Sequence, residues 1–190
     1  GLVPDIKDID RIVHGLTIGT NAILEGKGAD VWILTTRGFR DVLEIARTNR
    51  PILYDIKSLK PQALVPRTRT FEINERMLFD GSVREAFDPI EARAVVEKLI
   101  EKGANSVAIC FLHSYANPTH EQLAEKLVRE LLPTAFVCSS AAVLSQFREY
   151  ERFNTTALNA YIGPIMSDYL DNLRDRLGNK GYKQPIFVMA

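Results

Sequence analysis

Residues 88–133 constrain the fold most tightly. They read DPIEARAVVEKLIEKG, then ANSVAICFLHSYA, then NPTHEQLAEKLVRELLP. In the first block Asp88 is placed as an N-cap, Pro89 takes the first helical position and Glu91 follows three residues past the cap. Ala92, Val95, Val96, Leu99 and Ile100 share one face, and Gly103 ends the helix. Asn117 and Pro118 repeat the device before a second stripe of Leu123, Leu127, Val128 and Leu131. Between the two helices Ser106–Leu112 is short, apolar and β-prone. A helix, a buried strand and a helix in succession predict an α/β crossover rather than a bundle or a sandwich.

The rest of the chain keeps this alternation. Further strand-like runs fall at Arg11–His14, Val31–Thr35, Phe71–Leu78, Ala135–Cys138 and Pro185–Met189. A long helix is predicted where Leu158, Tyr161, Ile162, Ile165, Met166, Tyr169, Leu170, Leu173 and Leu177 hold a 3.6-residue stripe. Pro164 sits inside it, at a cost of about 3 kcal/mol, so a kink is expected at Gly163–Pro164. Residues 48–70 contain three prolines and no steady period, and read as a long extended connection. The expected fold class is α/β, a mixed sheet with flanking helices.

Bulk composition excludes several functions. Lys plus Arg and Asp plus Glu both count 24 in 190 residues, so no net basic field exists to hold nucleic acid. No stretch approaches the ~20 apolar residues of a membrane span. Cys110 and Cys138 lie in apolar runs without CxxC spacing, which points to reduced, buried thiols and a cytoplasmic protein. His14, His113 and His120 have no metal-binding spacing, and GxSxG, GxxxxGK[ST] and GxGxxG are absent, so no metal site, nucleophile elbow or phosphate loop is expected.

Three polar clusters remain. In HGLTIGTN, residues 14–21, glycines and small polar residues stand between a strand and a helix start. His14, Thr17, Thr20 and Asn21 there suit either ordinary capping or contact with a ligand at free backbone N–H groups. In TTRGFRDVLEIARTNRP a second strand ends on Thr35, Thr36 and Arg37. Parallel strands would bring this cluster to the same carboxyl edge as the first, with Arg37 and Arg47 as candidate clamps for a carboxylate or phosphoryl group. Arg40 reads better as a solvated side chain. In QFREYERFNTTALNAY, Glu149 and Arg152 are a candidate acid and base, with Asn159 on the neighbouring face; surface ion pairs are the competing explanation.

Taken in order, HGLTIGTNAILEGKGADVWILTTRGFRDVLEIARTNRPILYDI, ICFLHSYANPTHE and EYERFNTTALNAYIGPIM resemble the amino-terminal region of the hydantoinase A and 5-oxoprolinase family, which includes subunits of acetone and acetophenone carboxylases. The family's opening motif more often reads HGTTVATN; Leu16, Ile18 and Gly19 depart from it here. The resemblance implies a partial lobe of a ribonuclease H-like fold, as in sugar kinases, Hsp70 and actin. Residues 1–190 would lack the phosphate hairpin that precedes this region and the ATPase lobe that follows. The start without Met and the strand-like end PIFVMA prompt the same expectation of an excised piece.

The implied reaction is ATP-dependent opening of a cyclic amide such as hydantoin, N-methylhydantoin or 5-oxoproline. ATP and Mg2+ would serve the full-length enzyme, with no cofactor expected in this piece. His14, Thr17, Thr20, Asn21, Thr36, Arg37, Arg47 and Asn159 would bind substrate, and Glu149 and Arg152 would act in catalysis. A B-type partner subunit is the implied partner. A ketone carboxylase subunit, or a non-catalytic assembly module using Ile52, Leu53 and Tyr54, is the alternative.

Overall fold

A computed structural model describes residues 5–6, 9–48, 54, 57 and 61–189. In chain order the elements are β1 Ile12–Gly15, α1 Ile18–Glu25, β2 Val31–Thr36, α2 Val42–Ile45, β3 Thr70–Ile73, β4 Arg76–Met77 and β5 Val83–Glu85. They continue with α3 Pro89–Glu101, β6 Ser106–Cys110, α4 Thr119–Leu131, β7 Phe136–Ser139, α5 Ser140–Val143, α6 Glu149–Asn179 and β8 Ile186–Met189. Two compact units emerge, 30–161 and the combination of 1–29 with 162–190.

The larger unit is built on a four-stranded parallel sheet in the order β3-β2-β6-β7. Its two central strands are buried at every position, which is why they read as unbroken apolar runs. The period-two pleat still sorts their side chains. Trp32, Leu34, Val107, Ile109 and Val137 pack on one face with Ala92, Val96 and Leu99 of α3 and Ala124, Leu127 and Val128 of α4. Val31, Ile33, Ala108, Cys110 and Cys138 pack on the other with Phe153, Ala157 and Ala160 of α6.

The predicted helices form with small revisions. Asp88 caps α3 through a 2.8 Å bond from Ile90 N, while Glu91 turns away to pair with Arg37 at 2.7 Å. Asn117 Oδ1 accepts from Thr119 N at 3.1 Å and from the Thr119 hydroxyl at 2.7 Å. On α4, however, Leu123 is 43% exposed, and His120 and Glu121 occupy the inner face. Pro164 lies inside an uninterrupted helix. It has no N–H for the Ala160 carbonyl, and the buried Ser106 hydroxyl donates to that carbonyl at 2.7 Å instead.

The predicted Phe71–Leu78 strand is two strands. β3 stops at Ile73, Glu75 turns inward, and β4 pairs antiparallel with the exposed β5, which its polar sequence VRE concealed. A register shift falls between Arg76 and Met77. Among the described residues antiparallel pairing is thus confined to this hairpin.

In the smaller unit β1 and β8 form a parallel pair, Ile12 opposite Ile186 through Gly15 opposite Met189. A Cβ on Gly19 would meet Ile162 Cδ1 at 3.4 Å, an ordinary van der Waals distance, so α1 lies close to α6 at this point. Among the described residues no helix is long and apolar enough to cross a membrane. Of the apolar trio in the long connection, Tyr54 is 92% exposed; Ile52 and Leu53 lie outside the described residues.

Candidate functional site

The smaller unit carries the first cluster. β1 ends at Gly15, the Leu16 N–H reaches the Met189 carbonyl at 3.3 Å, and α1 begins two residues later. Thr17 stands at the N-cap position, yet its side chain makes no capping bond, and the first turn holds no acidic residue. Thr17, Thr20 and Asn21 are all exposed. The turn therefore presents two hydroxyls, an amide and the unsatisfied N–H groups of a helix start on one open surface. His14 is held from behind: its Nε2 and the Tyr169 hydroxyl are 2.7 Å apart, and the two rings stack with centroids 5.6 Å apart.

The larger unit carries the others, along the carboxyl edge of its parallel sheet, where open α/β sheets place ligands. Here the polar residues bond mainly to one another. Thr36 at the end of β2 donates through Oγ1 to Glu75 Oε1 and accepts the Leu112 N–H at 2.8 Å. Glu75 Oε2 meets His120 Nδ1 at 2.7 Å. Next to this, Glu121 Oε1 accepts from Phe111 N at 2.8 Å and the Ser140 hydroxyl at 2.6 Å, and Oε2 accepts from Ala141 N at 2.8 Å. Arg152 closes the chain. It donates to the Ser140 hydroxyl at 3.1 Å, the Phe111 carbonyl at 2.9 Å and the Gln146 carbonyl at 2.8 Å. Its guanidinium also lies over the rings of Tyr115 and Phe153.

Arg152 is only 1% exposed, while Glu149 three residues earlier is exposed. They are not brought together as an acid and base. Arg152 ties the ends of β6 and β7 to α6, and Glu149 faces the surface. Asn159 lies near the Cys138 thiol, which donates to the Thr156 carbonyl at 3.6 Å. The two candidate clamps are each paired with a carboxylate: Arg37 with Glu91, and Arg47 with Glu151. Arg40 donates to the Arg67 carbonyl at 3.0 Å. The first and second clusters end strands of different sheets, β1 beside β8 and β2 beside β3 and β6, so one shared sheet edge does not hold them.

Burial sets the electrostatics of this edge. It pushes the Glu75 carboxyl above its ordinary range, against the pull of Thr36 and His120. Glu121 is raised for the same reason, against its Ser140, Ala141 and Phe111 donors. Cys110 is raised strongly, and Cys138 is pushed up to about 11. His113, in the left-handed region at φ 57°, is lowered by burial and by the charges of Arg76 and Arg152.

A cavity of about 260 Å3 opens beside α2 and α6, with Arg47, Thr48, Gln62, Tyr150 and Asn154 among its walls. Ala46, Thr48 and Arg148 border this region with φ of 51°, 57° and 75°, conformations that side chains avoid unless held there. A second cavity, of about 330 Å3, lies beside the β4–β5 hairpin and is lined by Arg37, Asn74, Glu75, Arg76, Arg84 and Glu85. Arg76 Nε is its anomaly. Among the described residues it is the one buried side-chain nitrogen or oxygen without a partner, a condition that costs about 1–3 kcal/mol.

Sequence reasoning missed Glu75, Glu121, Ser140, Arg76 and Arg84. For Glu121 the signal was present: it stands three and seven residues before Ala124 and Val128, on the apolar face of α4, where an unpaired carboxylate is not tolerated. Glu75 and the hairpin arginines carry no comparable periodic signal.

The caprolactamase alpha subunit of Pseudomonas jessenii is 37% identical over 182 residues, 95% of this chain and 26% of that protein. A crystal structure of the ATP-dependent caprolactamase from that organism superposes with a TM-score of 0.87 at 36% identity, covering 96% of this chain and 27% of that one. 5-Oxoprolinase 1 of Arabidopsis thaliana is 31% identical over 181 residues, 85% of this chain and 14% of that protein. The nucleotide-free structure of acetone carboxylase superposes with a TM-score of 0.85 at 25% identity, over 97% of this chain and 28% of that one. The chain thus spans about a quarter of the length of the caprolactamase subunit. The two structural neighbours share the actin-like fold, and the α/β architecture described here is part of it. The family model for the hydantoinase/oxoprolinase N-terminal region matches residues 2–132, and the chain belongs to that family.

Proposed function

We propose that this chain forms the amino-terminal part of an ATP-dependent enzyme that opens a cyclic amide such as hydantoin, N-methylhydantoin or 5-oxoproline. The observation that carries the reading is the superposition of 96% of the chain on an ATP-dependent caprolactamase at 36% identity. A lactam is a cyclic amide, and its resonance makes the carbonyl carbon a poor electrophile. Coupling to ATP supplies the driving force, and donors aimed at the ring oxygen stabilise charge as it develops. The uncapped turn of Thr17, Thr20 and Asn21, with His14 held by Tyr169, offers such donors. Glu149, exposed at the start of α6, is the proposed acid or base of the larger unit.

Residues for ATP and Mg2+ are not assigned within this chain. Among the described residues no three of His, Cys, Asp and Glu gather to hold a metal, and the phosphate-loop motifs are absent from the sequence. A partner subunit is supported by the relatives' own description as subunits. Two buried free thiols support a cytoplasmic setting. The likeness to acetone carboxylase favours ketone carboxylation as the second reading.

Substrate-stimulated release of phosphate by the full-length protein with its partner decides between them. Stimulation by hydantoin, N-methylhydantoin or 5-oxoproline establishes the amide branch. Stimulation by acetone with bicarbonate alone transfers the assignment to carboxylation, and silence with all of them, from folded protein, overturns both.

A further inference from the structure

We propose that the cavity beside the β4–β5 hairpin is a binding site for a small oxyanion, a carboxylate or phosphoryl group, held by Arg76 and Arg84. The inference stands apart from the choice of reaction above. Three arginines, Arg37, Arg76 and Arg84, and the Asn74 amide line one space of about 330 Å3 next to the carboxyl ends of β2 and β3.

The arginines differ in how far they are committed. Arg37 is paired with Glu91. Arg76 lies over the Phe39 ring, its guanidinium carbon 4.7 Å from the centroid, and makes no hydrogen bond or ion pair with any described residue. Its Nε is sealed from solvent without a partner, so an anion in the cavity would meet Arg76 through the rest of its guanidinium, which no protein acceptor holds. Arg84 is exposed at the cavity wall, likewise without a hydrogen bond or ion pair to a described residue.

The two carboxylates in the wall do not satisfy them. Both oxygens of Glu75 are taken by Thr36 and His120, and Glu85 is exposed and makes no ion pair with either arginine. The register shift at Arg76 re-aims that strand, as bulges beside binding sites do. Planar guanidinium groups with free N–H edges match the paired oxygens of a carboxylate or phosphate, and a stacked Arg is pre-organised for such a contact.

Calorimetric titration of the full-length protein with sodium phosphate and, separately, sodium acetate at constant ionic strength tests this. Arg84→Gln, an exposed substitution that leaves the core intact, is expected to weaken one saturable binding event at least tenfold, and Arg76→Gln to do the same. Arg93→Gln, whose arginine is paired with Glu130 and does not line the cavity, is expected to leave it unchanged. A preference for acetate identifies a carboxylate site, and a preference for phosphate a phosphoryl site. Absence of saturable binding by both anions, or equal binding by wild type, Arg84→Gln and Arg76→Gln, overturns the proposal.

Discussion

Thr36 and Thr17 stand in the same local grammar, a threonine where a parallel strand gives way to a turn, yet the two units use it oppositely. In the larger unit Thr36 is 1% exposed and its hydroxyl both gives and receives a hydrogen bond inside the protein. In the smaller unit Thr17 is open to solvent, as is Thr20 in the first turn of the helix it introduces, and that helix has no side-chain cap. Polar groups that satisfy one another inside a sheet edge stabilise it, whereas polar groups left unsatisfied at a surface are available to something else. The difference between these two turns is thus one between hydroxyls committed inside the protein and hydroxyls left open to solvent, and each end of it is open to experiment.

The hardest blow to the comparison is Arg152→Leu. It removes the donor to the Phe111 and Gln146 carbonyls and to Ser140, and leaves Glu121 buried without the nearby positive charge. A loss of about 3–5 kcal/mol is expected, read from urea unfolding followed by circular dichroism. Thr36→Val is expected to cost about 1–3 kcal/mol in the same assay, because Glu75 and the Leu112 N–H both lose a partner. Equal stability of either variant and the wild type would show that the buried edge is not the structural region described.

Thr20→Ala tests the opposite end. Its stability is expected within about 0.5 kcal/mol of wild type, while ATP-dependent turnover of the full-length enzyme falls more than tenfold. Unchanged turnover would return the turn to ordinary scaffold. The gentlest probe is thiol labelling at pH 8. With Cys138 pushed up to about 11 and Cys110 also raised well above its ordinary value by burial, iodoacetamide is expected to leave both unmodified in the native protein and to label both once urea unfolds it.

Legibility in the sequence followed the same division. The α/β alternation, the Asp88 cap of α3 and the buried central strands were readable because periodicity and capping are local properties, while α4 starts one residue later than read, at Thr119 with Pro118 in the cap position. β5 was not, since VRE is exposed and polar and pairs only through a hairpin that brings β4 back. Arg152 was legible as important but not as buried, because its neighbours Glu149, Tyr150 and Glu151 dilute the apolar signal around it. Glu75 was invisible for a different reason: its partners Thr36 and His120 are 39 and 45 residues away. Networks of that kind are specified by topology, and a linear reading reaches them only after strand order is known.

The bond from Ser106 to the Ala160 carbonyl bears on how this sequence can drift. That carbonyl is vacant only because position 164 is proline, so the two positions are tied although 58 residues separate them. With proline retained, Ser106→Ala would strand a buried acceptor. Once Pro164 is replaced by alanine, the returning N–H would supply the acceptor and the serine would become dispensable. The order in which the two changes arrive therefore decides whether the intermediate is tolerated, which makes the pair a one-way evolutionary gate.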